Sequence, residues 1–222
     1  MRAFSLALGM VMGALASLLP CGLAAQDVAA RLNGRVPAAV AQAVQEIATD
    51  ARARGLPVEP LLQKALEGGA KGVPADRVIA AVRVLAGRLG DAQGALQGGG
   101  LRSPSPEALE TGAYALNAGL SSRQVRELAS VSREPYDPVL TLRIAATLTA
   151  LGVPSGQGVD LVEHMIRDHR GPGELLDLPN EVQQGMARGA TAAEAAEGLD
   201  GRDEHRGERH QEDEQRRPPH KP

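Results

Sequence analysis

The stretch GLPVEPLLQKALEGGAKGVPADRVIAAVRVL, Gly55 to Leu85, says nearly the same thing twice. Gly-Leu-Pro opens one apolar-periodic run, and about seventeen residues later Gly-Val-Pro opens the next. A glycine after such a run supplies the left-handed residue that ends a helix, and the aliphatic residue behind it packs back on the last turn. Proline, or a residue with a hydroxyl, then prevents continuation and starts the next helix. The punctuation returns as Gly119-Leu120-Ser121, Gly152-Val153-Pro154-Ser155 and Gly189-Ala190-Thr191. Ser121 with Gln124, and Thr191 with Glu194, have the spacing of capping boxes. Pro37 and Pro138 suit a first helical turn, the latter behind Asp137 as its cap.

Working outward, apolar residues recur at helical spacing. Val36, Val40, Val44, Ile47 and Ala51 form one stripe; Leu62, Ala65, Leu66 and Gly69 a second; Val78, Val82, Leu85 and Leu89 a third. Leu109, Ala113 and Leu116 follow, then Val125 and Leu128, then Leu140, Ile144, Leu148 and Leu151, and last Val162, Met165, Ile166 and His169. Two-residue alternation over strand length is hard to find, so the pattern predicts an all-α chain. Short connections make sequential helices antiparallel neighbours, which predicts an array or bundle of short antiparallel helical hairpins. Each helix should run about twelve to sixteen residues. Tetratricopeptide-type arrays have a comparable hairpin length, but their aromatic signature is absent, and no named family is assigned. Gly90 to Glu107, with three consecutive glycines and Ser-Pro-Ser-Pro, reads as a flexible waist near residues 90–106. Gly171 to Glu181 reads as a second, shorter interruption.

The ends read differently. Residues 1–25 carry one charge, Arg2, then an apolar run to Leu19 and small residues at Ala24 and Ala25. That is the layout of a secretory signal cleaved after Ala25, which places the product in the periplasm or outside the cell. Cys21, the one cysteine, would leave with it. No thiol would remain for a disulfide, a nucleophile or a thiolate metal site. Pro20 ahead of Cys21 departs from the small residue that precedes a lipidated cysteine; without lipidation there, no membrane attachment survives cleavage. Residues 26–198 form the helical domain. From 199 to 222 there is no aliphatic residue beyond Leu199, and opposite charges are closely mixed, which predicts a disordered tail.

Composition removes whole classes of function. The formal net charge of -3 includes Arg2, so the mature chain would be slightly more acidic and would lack a basic footprint for nucleic acid. With Phe4 gone, Tyr114 and Tyr136 are the remaining aromatic residues. Base stacking, cation–π cages and sugar platforms all need aromatic faces.

Catalytic motifs are equally sparse. The segment around Lys71 lacks the Walker spacing, and no Gly-x-Ser-x-Gly elbow is present. Val162 to His169 holds the residue types with chemistry: Glu163, His164, Asp168 and His169 are competent for metal ligation or acid–base work. His164 and Asp168 are one helical turn apart, whereas a two-histidine zinc helix sets its imidazoles at i and i+4, and these are five apart. The plainer reading is a polar helix end with His169 and Arg170 beside the last carbonyls. His205, His210 and His220 in the tail are further metal candidates. No cofactor is implied.

The expectation is therefore an exported helical scaffold of a bacterial envelope, not an enzyme, with another envelope protein as partner. The alternatives are metal binding through the tail histidines and a hydrolase with a scattered site around His164.

Overall fold

A computed structural model describes residues 28–199. The segment read as a signal with its cleavage site, and residues 200–222 of the expected tail, with Cys21, His205, His210 and His220, lie outside the described residues. Those described are all-helical and contain no strand. The helices are α1 (28–32), α2 (Ala38–Ala53), α3 (Glu59–Ala70), α4 (Ala75–Gly98), α5 (Pro106–Ala118), α6 (Ser122–Val131), α7 (Pro138–Ala150), α8 (Ser155–Arg167), α9 (Pro172–Ala187) and α10 (192–199).

The turn code is visible in the backbone. Gly55, Gly72, Gly119, Gly152 and Gly189 all have positive φ. At the first, the Gly55 N–H donates to the Arg52 carbonyl at 3.0 Å and the Leu56 N–H to the Ala51 carbonyl at 2.9 Å. That nested pair satisfies two carbonyls the helix end would otherwise orphan. Leu56 then turns inward and is buried, as are Leu120 and Val153 after their glycines. Both capping boxes form: the Gln124 N–H donates to Ser121 Oγ at 3.2 Å and the Glu194 N–H to Thr191 Oγ1 at 3.2 Å. Asp137 Oδ1 accepts from the Val139 N–H at 2.8 Å.

Two stretches differ from the sequence reading. The break expected from Gly90 begins only after Gly98, because α4 runs unbroken through Gly90 and Gly94 for 24 residues. Leu89, Ala92, Ala95 and Leu96 are all buried along that segment, and their packing outweighs the roughly 1 kcal/mol that each interior glycine costs a helix. The interruption expected at 171–181 is likewise helix from Pro172 onward, with Gly171 as its cap. Pro172 sits in the first turn of α9, Pro179 lies inside it, and Leu175, Leu178 and Val182 hold it to the core. Burial overrides the proline penalty there.

Packing follows chain order. Every substantial helix–helix contact among α2–α9 joins helices one or two positions apart. α4 packs on α2, α3, α5 and α6; α7 packs on α5, α6, α8 and α9. The connection 99–105 is thus flanked by helices in direct contact. Gly99 allows a close approach there: a Cβ on it would lie 2.7 Å from the Ala129 methyl and the Arg126 carbonyl of α6. The core is aliphatic, with Leu61, Leu89, Leu128, Leu142, Leu148 and Leu175 fully enclosed. Burying each such side chain contributes roughly 1.5–3 kcal/mol, which short helices, marginal alone, require from their neighbours.

Candidate functional site

The residues singled out by chemistry sit at the end of α8. His164 Nε2 is buried 3.2 Å from Asp168 Oδ2 but makes no hydrogen bond. His169 is exposed and has φ +56°, the left-handed conformation that glycine occupies at the other turns. Its N–H donates to the Ile166 carbonyl at 3.1 Å and the Arg170 N–H to the Met165 carbonyl at 3.0 Å, so His169 serves as the helix terminator. Arg170 Nε is 3.1 Å from Glu174 in the first turn of α9, and the Arg170 carbonyl accepts from the buried Tyr136 hydroxyl at 2.7 Å.

Glu163 is partly buried on the same helix. Burial first, and then the Glu127 carboxylate of α6, push its carboxyl above the usual carboxylate range; Arg167 opposes and Asp160 adds to the rise. Among the described residues, no three His, Cys, Asp or Glu side chains converge as metal ligands.

A different region has the geometry of a binding site. α4 turns Ala81, Val84, Leu85, Arg88 and Leu89 into one helical stripe, and this stripe floors a groove of about 440 Å³. Pro60 and Lys64 of α3 form one wall; Glu110, Ala113, Tyr114 and Asn117 of α5 form the other. Val84 is 60% exposed and Tyr114 45% exposed, whereas the flanking stripes of the same helices are buried. The groove continues on the α3 side into a hollow lined by Glu59, Gln63 and Glu67. On the α7 side it meets a second, lined by Glu107, Thr111, Arg143 and Thr147. Arg143 holds Glu107 at 3.1 Å, tying α7 to α5 at that margin. Glu59 is fixed by hydrogen bonds from Arg31 and Gln63, which hold its carboxyl at about 2.

A polar cleft of about 640 Å³ between α9 and α10 is lined by Asp177, Glu181, Arg188 and Glu194 and ends at Leu199, the last described residue. None of these four cavities is lined by Glu163, His164, Asp168 or His169. No described helix is long and apolar enough to cross a membrane.

No known protein family matches this chain, and no curated protein or solved structure was found to be similar to it. The sequence reading missed the groove. Its signal was present: Val84 and Tyr114 lie off the apolar stripes of their own helices, and Tyr114 is one of only two tyrosines.

Proposed function

We propose that the chain is an exported protein-interaction scaffold of the bacterial envelope, an array of antiparallel helical hairpins that holds a partner in the α3–α4–α5 groove. One observation carries the reading: two large apolar side chains, Val84 and Tyr114, stand exposed in a concave stripe on α4 and α5. Exposed apolar clusters rimmed by charge mark interaction surfaces, and tyrosine is enriched among the residues that anchor interfaces. Packing confined to helices one or two positions apart supports an array, in which each unit adds surface without closing a central core. The signal-like residues 1–25 support export, with cleavage after Ala25.

A photo-crosslinking amino acid at position 84 or 114, followed by fractionation of the cell and mass spectrometry, tests this directly. The expected result is a discrete protein adduct in the envelope fraction, absent when the probe is moved to exposed Arg52. Recovery of uncrosslinked chain alone, or a mature N-terminus inconsistent with cleavage, would end the reading.

A further inference from the structure

The partly buried arginines among the described residues are Arg31, Arg88 and Arg170. Arg31 holds Glu59 through both its terminal nitrogens at 2.7 Å, and Arg170 Nε lies 3.1 Å from Glu174. Arg88, among the described residues, has no carboxylate within ion-pair distance. It lies in the groove floor one turn beyond Val84. Arg88 is partly buried along its stem, and its guanidinium nitrogens are not enclosed, so they stay open to an anion entering the groove. Its planar fork matches a carboxylate in bidentate geometry. Beside it, Val84, Leu85, Ala113 and Tyr114 offer apolar surface.

Resting on the scaffold reading, we propose that the groove takes an acidic peptide segment of a partner protein. It seats an apolar side chain among Val84, Leu85 and Tyr114 and a carboxylate on Arg88. The carboxylate on the α5 wall, Glu110, is exposed and makes no ion pair with Arg88. The apolar seat supplies affinity, and Arg88 supplies the sign of charge accepted beside it.

The test is selection of a random displayed peptide library on the whole mature chain, followed by titration of labelled winners. Winners should carry an aliphatic or aromatic residue near Asp or Glu. Arg88→Gln should weaken them about ten- to a hundredfold, the value of a charge-assisted contact. Arg88→Glu should redirect the selection toward Lys and Arg, a readout that simple loss of folding cannot give. Tyr114→Ala should weaken all winners without changing their charge. Circular dichroism of each variant confirms that it is folded. Winners lacking acid, or acidic winners indifferent to both Arg88 changes, overturn the proposal. A protein adduct captured in cells at position 114 together with such winners keeps the scaffold and rejects the acidic occupant; absence of both rejects the scaffold as well.

Discussion

His169 occupies a backbone position that glycine fills at Gly152 and Gly189, and a side chain with Cβ is strained there by roughly 1–2 kcal/mol. His169→Gly is therefore expected to raise stability by about 1 kcal/mol after the added freedom of the unfolded chain is subtracted. Gly152→Ala should lower it by a similar amount. Paired urea denaturation curves decide, and a loss of stability in His169→Gly would assign the histidine a contact worth more than its strain. Glu163 gives a pH signature of definite sign. Its folded-state carboxyl is raised, so between the ordinary carboxylate value and that raised value the folded state binds more protons than the unfolded, and stability falls as pH rises. Glu163→Gln should accordingly melt higher than the parent at neutral pH, with the gap closing near about pH 4. Glu59, held at about 2, has the opposite sign and loses its contribution as pH drops below the carboxylate range. The positive φ of the five punctuating glycines was legible from spacing alone. That of His169 was not, because nothing in a histidine marks it as left-handed.

At the level of elements, the misread stretches share a cause. Glycines at 90, 94 and 98 and the proline at 179 are local signals against helix, while burial of Leu96, Leu175 and Val182 is a long-range signal for it. Only the folded chain shows which dominates. The same distinction separates glycines that are tolerated from those that are required. Nothing lies within 4 Å of a Cβ built on Gly94, so Gly94→Ala should stabilise by about 0.5–1 kcal/mol through helix propensity. A Cβ on Gly185 would come within 2.6 Å of the Ala195 methyl, so Gly185→Ala should push α9 and α10 apart and lower the melting temperature. Equal effects from the two substitutions would contradict this division. The groove was hidden for a related reason. Its walls belong to α3 and α5, which are separated in sequence by all of α4, and its floor joins the edge of the α4 stripe, Leu85 and Leu89, to Ala81, Val84 and Arg88 beside it.

For the whole molecule, neighbour-limited packing makes a mutation's reach finite. Leu175→Ala on α9 removes a fully buried side chain and should cost roughly 2–5 kcal/mol locally. In hydrogen exchange, amides of α7 to α9 should then lose protection while those of α2 and α3 keep theirs, as expected when each unit is stabilised chiefly by its neighbours. Uniform loss along the chain would show instead a single cooperative block. All-α class was readable from periodicity because every stripe of aliphatic residues repeats at helical spacing. Order of packing was not, since a stripe states that a face is buried without naming what buries it.

The scarcity of rings has a practical corollary. Tyr136 is enclosed, its hydroxyl bonded to the backbone where α8 hands over to α9, while Tyr114 stands in the open groove. With no tryptophan to mask them, the two phenols are separate intrinsic fluorophores. Replacing Tyr114 with Leu leaves an optical gauge of the α8–α9 joint, and replacing Tyr136 with Leu leaves one that senses occupation of the groove, with no dye attached.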